Sequence, residues 1–475
     1  MGVVVSCTTV TSGAESVAAP SPSTVPTAEA TSALALIAAE DATPTADPVL
    51  TAATTPSPTS LAVVAATLSP TPLPTLGPTP SPATSPLAIT TEAPAAPEVS
   101  LAPSTAALDA SSSEPAAAVD ASALDRRTTK KLQKIIDNQV KNKGVSGLQV
   151  AVRLPTGEAW LGTAGKAEFS PDRPVRDDTA FAIASVTKTF VAALILQLAE
   201  EGKVDLDEPF GSYFTDAPRK KTVTLRQLLS HTSGIHNFWQ TPRYEEITTA
   251  WWQTPNAGGL KARDHEWTYE EMMSLVGNGY FKPGKDYHYS NTNYVILGKV
   301  AEAVEGKPLH KQLRQRFFKP LGLEHTVYQP AERPPADAAH GHWNNGAGFI
   351  DHTLDSEYVP FMAAASVAGP AGAIASTAED LSIWADALYG GKVLSRESLR
   401  QMTTFLRPGL YGLGTDVALF AGNRGHGHRG GIRGYESSMW FFPESGVSVV
   451  LLSNRGYWST DVPMVKLVKA VLGSA

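Results

Sequence analysis

A serine and a lysine three residues apart precede an apolar segment in the middle of this chain. Ser185 and Lys188 come just before residues 190–199, which are almost all apolar. On a helix a three-residue step returns to the same face, so the hydroxyl and the amine would be neighbours. A serine is a poor nucleophile until a nearby base takes its proton, and a lysine can be that base when burial lowers its pKa. The apolar run predicts a buried helix, too short to span a bilayer.

A second polar cluster follows the turn at residues 282–284. Tyr289 and Asn291 alternate across an extended segment that enters a helix, so we expect their side chains to face the same way. A phenol can act as an acid or a base when a cation such as a lysine lies nearby. An asparagine amide can orient that lysine or bind a substrate carbonyl. The alternative is a polar cap before the next helix.

A third cluster, rich in glycine, occupies residues 425–435 and leads into a predicted strand. We expect His428 and Gly430 to face one way and Arg429 and Gly431 the other. Glycines let a substrate backbone lie close along an edge strand, and a free N–H can point at an oxyanion. A glycine-rich hairpin turn is the alternative. His426 and His428 lack a carboxylate or cysteine cluster, so we expect neither a metal site nor a cofactor.

In this order and spacing the three clusters resemble the motif set of serine β-lactamases and penicillin-binding proteins. Tyr289-x-Asn291 in second place and His428-x-Gly430 in third are similar to the serine DD-peptidases and class C β-lactamase relatives. That group includes D-alanyl-D-alanine carboxypeptidases, esterases and D-aminopeptidases. The resemblance covers about residues 127–475, nearly all of the chain that we expect to be ordered.

The resemblance implies an acyl-enzyme mechanism in which Ser185 attacks a carbonyl. Lys188 and Tyr289 would move the protons, and either of them could be the base. The N–H groups of Ser185 and Gly431 would form the oxyanion hole. Asn291 would hold the substrate amide.

The third motif would contribute in two further ways. His428 would tune Tyr289, in place of the lysine that many relatives carry, and Gly430 would let the substrate approach the strand. Some carboxypeptidases of this type also have an arginine soon after a Tyr-Gly-Leu-Gly stretch, where it binds the substrate's terminal carboxylate. Here Thr415 and Asp416 follow that stretch instead, so D-alanyl-D-alanine specificity is in question.

Arg429 could supply the missing positive charge. Alternation along the strand puts its side chain on the same side as Gly431, and an arginine can bind a carboxylate with two parallel hydrogen bonds. The alternative is a side chain that extends to solvent, or that fills the pocket and favours small esters.

The chain's charge is divided unequally. Residues 1–125 contain eleven of the 46 acidic residues and none of the 39 Lys and Arg residues, so the remainder is close to neutral. Neither part has the concentrated basic face of a nucleic-acid-binding protein. Residues 1–124, rich in Thr, Pro, Ser and Ala, are predicted to be a disordered tether, and residues 125–475 a hydrolase domain.

The one cysteine, Cys7, excludes an intrachain disulfide. Residues 4–7 loosely resemble the small-residue box before the lipidated cysteine of bacterial lipoproteins, without the basic stretch and longer apolar run of a full export signal. The start also fits a myristoylation acceptor, and an unmodified terminus is a third alternative. We expect an extracytoplasmic protein, secreted or attached through Cys7 to the outer face of a bacterial membrane.

The elements that must position these clusters follow from hydrophobic periodicity. Residues 132–140 predict an amphipathic helix capped by Gly144. Residues 148–152, 435–442 and 447–453 predict strands, whereas 223–234, 294–304 and 462–472 predict helices. These elements indicate an α+β fold. We expect an antiparallel sheet formed by the N- and C-terminal regions and flanked by helices, with a mostly helical lobe from about 235 to 400 and a cleft between the two.

The sequence therefore predicts a serine hydrolase that acts through an acyl-enzyme on D-amino-acid peptides or β-lactams, most like a D-alanyl-D-alanine carboxypeptidase. An esterase or D-aminopeptidase of the same fold is the first alternative, because the fold does not set the substrate. A catalytically silent protein that binds wall peptides is the second. We expect a monomer whose partners are small-molecule or peptide substrates, and not nucleic acid.

Overall fold

The computed structural model describes residues 124–253, 262–344, 348–353, 356–405 and 411–474. The predicted tether up to residue 123, with Cys7, lies outside the described residues. The strands within those ranges are β1 (Gly147–Arg153), β2 (Ala159–Phe169), β3 (Asp172–Pro174), β4 (Phe181–Ala182), β5 (Val327–Tyr328), β6 (His342–Asn344), β7 (Phe349–Asp351), β8 (Ile374–Ser376), β9 (Asp416–Phe420), β10 (Asn423–Ile432), β11 (Tyr435–Phe442) and β12 (Val447–Ser453).

The α-helices connect these strands and build most of the middle of the chain. They are α1 (Arg126–Lys143), α2 (Thr187–Glu200), α3 (Leu225–Leu229), α4 (Pro242–Gln253), α5 (Tyr269–Ser274), α6 (Asn291–Glu305), α7 (Leu309–Leu313), α8 (Met362–Ala368), α9 (Ala378–Tyr389), α10 (Arg396–Met402) and α11 (Asp461–Leu472). None of the helices described is long and apolar enough to cross a bilayer.

One seven-stranded antiparallel sheet joins the two ends of the described chain. Its strand order is β3-β2-β1-β12-β11-β10-β9. The first and last strands in sequence are neighbours, with Leu148 opposite Ser453 and Val152 opposite Val449. The predicted α+β fold, with a sheet formed by the terminal regions and helices around it, is confirmed.

Alternation along the central strands gives the sheet two buried faces. On one face Val150 and Leu451 pack with Leu132 of α1 and Met464 of α11. On the other face Ala151, Val450 and Leu452 pack against α9 and the helical lobe, in a core that also contains most of α2. Because both faces are covered, the strands are apolar on both sides, as is typical of a buried sheet.

Two local predictions differ from the structure. The helix predicted over 223–234 ends at Leu229, five residues before Gly234, because the backbone already turns at His231, whose φ is +58°. The glycine-rich residues 425–431, predicted to lead into a strand with a hairpin turn as the alternative, are themselves part of β10. Glycine has a low strand propensity, so pairing with β11 rather than local preference makes this segment a strand.

Candidate active site

Ser185 lies in a single 3₁₀ turn, Ala184–Val186, that leads directly into α2. Ala184 holds a left-handed φ of +47°, a conformation that costs free energy in a residue with a Cβ. The neighbouring segment secures the turn, since Ile183 N donates to Ile374 O at 3.0 Å and Ile374 N donates to Thr187 Oγ1 at 3.1 Å. The serine side chain stays partly exposed, so a substrate can reach it.

Lys188 is fully buried one turn into the protein core. Its Nζ lies 2.9 Å from Ser185 Oγ and 2.7 Å from the carbonyl oxygen of Ala371. Burial lowers the pKa of Lys188 well below its ordinary value. A neutral amine fits this geometry, because it can donate to the Ala371 carbonyl and keep its lone pair for the serine hydroxyl.

Tyr289 stands on the loop before α6, within reach of the same lysine. Lys188 Nζ lies 4.9 Å from the centroid of the Tyr289 ring. Burial raises the pKa of the phenol far above its usual value, and a hydrogen bond with Ser185 opposes that rise only in part. The phenol is therefore protonated at neutral pH.

Asn291 is the first residue of α6 and is 5% exposed. Its backbone N–H donates to Asn237 Oδ1 at 3.2 Å. Its own Oδ1 is buried without a hydrogen-bond partner among the described residues. A buried acceptor left unpaired costs free energy, and a substrate N–H would relieve that cost.

His428 is buried on β10, and its two ring nitrogens are both occupied. Nε2 lies 2.7 Å from the Tyr411 hydroxyl, and Nδ1 bonds the carbonyl oxygen of Arg429. Burial, and then the nearby Lys188, lower the pKa of His428 to about 3. The ring centroids of His428 and Tyr289 are 6.3 Å apart, and the tuning of Tyr289 by His428 stays a prediction.

Gly430 allows β10 to lie against the nucleophile's turn. A Cβ at this position would collide with Ile183 O and Ser437 Oγ and come within 2.9 Å of the Ser185 backbone nitrogen. The glycine was predicted to make room for a substrate, but in the structure it makes room for the turn. Gly431 follows on the part of β10 that extends beyond β9, since β9 pairs only with residues 423–427. An oxyanion role for its N–H stays a prediction.

Arg429 is not where the sequence argument put it. Its Nε donates to Asp461 Oδ1 at 2.8 Å, its Nη1 donates to Asp416 Oδ2 at 3.1 Å, and its guanidinium lies 4.9 Å from the Trp440 ring centroid. These partners belong to the face of the sheet that α11 covers. The prediction was wrong because alternation fixes the side chain's direction, whereas the backbone N–H of Gly431 lies in the plane of the sheet.

Two residues beside the catalytic group had no role in the sequence analysis. Tyr411 donates to His428, and the His231 ring lies 4.2 Å from the Tyr289 ring, centroid to centroid. Tyr411 opens the Tyr-Gly-Leu-Gly stretch and His231 lies within the helix predicted over 223–234, but local patterns do not predict their long-range partners. Among the described residues no group of three or more His, Cys, Asp or Glu side chains could hold a metal ion.

Comparison with known proteins agrees with this geometry. The family model described as Beta-lactamase matches residues 132–472. Penicillin-binding protein 4 of Amycolatopsis lactamdurans is 31% identical over 306 residues, covering 59% of this chain and 74% of that protein. A D-aminopeptidase of Cereibacter sphaeroides is 25% identical over 338 residues, covering 70% of this chain and 60% of that protein.

A solved structure extends the likeness to the fold. The D-amino acid amidase from Ochrobactrum anthropi SV3, complexed with L-phenylalanine amide, matches with a TM-score of 0.62 and 29% identity, covering 73% of this chain and 98% of that one. The family model spans well over half of the chain, and Ser185 and Lys188 lie within it at hydrogen-bond distance. The chain belongs to the beta-lactamase family and is a serine hydrolase of that fold.

Proposed function

We propose that this protein hydrolyses amide bonds of D-amino-acid amides and short D-amino-acid peptides through an acyl-enzyme on Ser185. The observation that carries the proposal is the 2.9 Å contact between Ser185 Oγ and the buried Lys188 Nζ. Such a contact supplies what a serine nucleophile needs, which is a base within hydrogen-bond reach.

Lys188 is the base in this mechanism, and Tyr289 is the acid. Burial favours the neutral form of both groups, so the amine can accept a proton and the phenol can donate one. Ser185 Oγ bonds to the carbonyl carbon while its proton moves to Lys188 Nζ. Collapse of the tetrahedral intermediate breaks the C–N bond, and the leaving nitrogen takes a proton from Tyr289, which Lys188 then restores. Water next attacks the acyl ester, Lys188 and Tyr289 accept the proton of that water, and they pass a proton to Ser185 Oγ as the acid product leaves.

Substrate preference follows from the charges that surround the site. Thr415 follows the Tyr-Gly-Leu-Gly stretch, after which some carboxypeptidases of this type carry a carboxylate-binding arginine, and it is fully buried and bonds Tyr389 at 2.8 Å. Arg429 already binds two carboxylates of its own chain. With neither position available to a substrate carboxylate, amides and internal peptide bonds suit the site better than a free C-terminus does. The names of the aminopeptidase and amidase relatives agree with this preference.

The test is covalent labelling followed by substrate comparison. A fluorophosphonate should add one adduct to the wild-type protein, on Ser185 by peptide mass, and none to a Ser185→Ala variant. The turnover rates of D-phenylalanine amide, a D-Ala-D-Ala peptide and a p-nitrophenyl ester are then compared. An adduct that persists in Ser185→Ala would refute the assignment, and hydrolysis of the ester alone would favour the esterase alternative. Faster turnover of the D-Ala-D-Ala peptide than of the amide would restore the carboxypeptidase prediction.

An extracytoplasmic location is a separate proposal that rests on the sequence alone. The acidic, Pro- and Thr-rich residues 1–124 are of a composition suited to a tether, and Cys7 would be the point of lipid attachment. Cell fractionation combined with mass measurement of the N-terminal peptide tests it. Cytoplasmic protein with an unmodified Cys7 would refute it.

A further inference from the structure

We propose that His231 is the positioning residue for Tyr289, and that it holds the phenol where it can protonate the leaving nitrogen. The proposal rests on the proposed function above. The sequence assigned the tuning of Tyr289 to His428, but the imidazole of His231, in the loop after α3, lies nearer to the phenol. Ring centroids of His231 and Tyr289 are 4.2 Å apart, with 37° between the ring planes.

His231 also binds the backbone on both sides of Tyr289. The residue before it, His288, donates its N–H to the carbonyl oxygen of His231 at 3.0 Å. The residue after it, Ser290, donates its N–H to Nδ1 of the same histidine at 3.1 Å. With the ring contact, His231 therefore contacts Tyr289 and both of its neighbours in sequence. The ring contact and the bond from Ser290 depend on the histidine side chain, whereas the bond from His288 is made by the backbone.

The hydrogen bonds also fix which ring nitrogen of His231 carries the proton. Nδ1 accepts from Ser290, and the amide nitrogen of Asn293 lies 3.3 Å from it. An imidazole nitrogen that accepts has no hydrogen of its own, so the proton of the neutral ring is on Nε2. Nε2 is buried, and it has no hydrogen-bond partner among the described residues.

Tyrosine rings surround this imidazole and make its place specific. Besides Tyr289, the ring of Tyr411 lies 4.7 Å and the ring of Tyr294 lies 5.4 Å from the His231 ring, centroid to centroid. Tyr294 is tied to the end of α3, just before the His231 loop, because its hydroxyl donates to Leu229 O at 3.0 Å. The histidine thus fills the space between the Tyr289 loop and the segments that carry Tyr294 and Tyr411.

The backbone of His231 is strained, which a filler of that space alone would not need. Its φ of +58° lies in the left-handed region that glycine adopts freely and other residues adopt at a cost. A histidine occupies this position although a glycine would adopt the same φ without strain. The contacts of the side chain with Ser290 and Tyr289 explain why a histidine is present.

Two variants separate the two contacts that His231 makes. His231→Phe keeps a ring against Tyr289 but leaves the Ser290 N–H without an acceptor. His231→Asn keeps an acceptor close to the position of Nδ1 but loses the ring. His426→Asn is the control, because His426 lies on β10 two residues before His428 and its ring faces Tyr389 and Phe405. Thermal unfolding of each variant verifies that it folds.

The measurement compares two substrates with one acyl group, D-phenylalanine amide and the D-phenylalanine p-nitrophenyl ester. Amide hydrolysis needs a proton on the leaving nitrogen, whereas p-nitrophenolate leaves without one. A phenol misplaced by about 1 Å should lower kcat/KM for the amide, which reports acylation, by about 100-fold and leave kcat/KM for the ester nearly unchanged. We expect that pattern for His231→Phe, a smaller loss for His231→Asn and no change for His426→Asn.

Two results would overturn the inference. Equal losses on amide and ester in folded His231 variants would mean that the histidine only supports the fold. Unchanged amide hydrolysis in both variants would mean that Tyr289 needs no such support. A wild-type protein that hydrolyses neither substrate would refute the proposed function and this inference with it, so the wild-type assay tells the two failures apart.

Discussion

Replacing Lys188 by methionine should make the protein less active and, below about pH 8, more stable. The amine is fully buried, and no described carboxylate forms an ion pair with it. In the unfolded chain it would titrate near its ordinary value of 10.5. Methionine has a similar length and no charge, so the variant removes the base and the buried ionisable group together.

The sign of the stability change follows from proton linkage. Because the pKa of Lys188 is lower in the folded than in the unfolded protein, the unfolded state binds more protons between the two values. The free energy of unfolding of the wild type therefore falls by about 1.4 kcal/mol for each pH unit as the pH drops through that window. Methionine removes this dependence. The Ala371 carbonyl loses its donor in the variant, which costs about 1–3 kcal/mol at every pH.

The assay is thermal unfolding of both proteins at several pH values from 10 to 7. The Tm of Lys188→Met minus that of the wild type should increase as the pH falls, by about 2 °C for each unit while the pH stays above the folded-state pKa of Lys188. Lys311→Met is the control, because Lys311 is exposed and should show no such trend. Loss of the base should lower kcat/KM by about 10²- to 10⁴-fold. A pH-independent Tm difference would show that Lys188 is protonated in the fold, and it could not then be the resting base.

Two further variants test other parts of the site. Arg429→Ala should lower the Tm by a few degrees, since it breaks two half-exposed ion pairs worth about 0–1 kcal/mol each. It should slow carboxylate and amide substrates equally, and a selective loss on the carboxylate substrate would return Arg429 to the substrate site. Arg424→Ala is the exposed control on the same strand. Gly430→Ala should push β10 away from the turn and lower acylation of Ser185 by about 100-fold. Gly425→Ala, where a Cβ meets nothing closer than 3.2 Å, should retain activity, and equal rates in the two glycine variants would contradict the packing argument.

The parts of the fold that local periodicity controls were predictable. Strands β11 and β12 have the predicted bounds, and α1 ends at the predicted cap, where Gly144 holds a φ of +62°. The 2.9 Å contact between Ser185 and Lys188 follows from three-residue spacing at the start of a helix. In each case neighbours in sequence decide the geometry, so the residues themselves carry the information.

Contacts between distant segments were not predictable in the same way. The partners of Arg429 come from β9 and α11, and the partner of His428 comes from Tyr411. The sequence of a glycine-rich segment does not predict which face of the sheet a helix from a distant part of the chain will cover. His231 had no role in the sequence analysis for this reason, since only the assembled loops show that its ring contacts Tyr289.

Lys188 can act as a base because its surroundings favour the neutral amine. A carboxylate beside Lys188 would stabilise the ammonium form and raise its pKa, and the proton would then be held too tightly for the amine to act as a base. The described structure offers the carbonyl oxygen of Ala371 instead, a partner that accepts a hydrogen bond without adding a negative charge. His231 and His428, both buried, have lowered pKa values, in part because Lys188 lies close to them. Burial is the main cause that keeps all three groups neutral. A proton on any one of them would disfavour protonation of the other two, so both imidazoles stay neutral when Lys188 takes the serine proton.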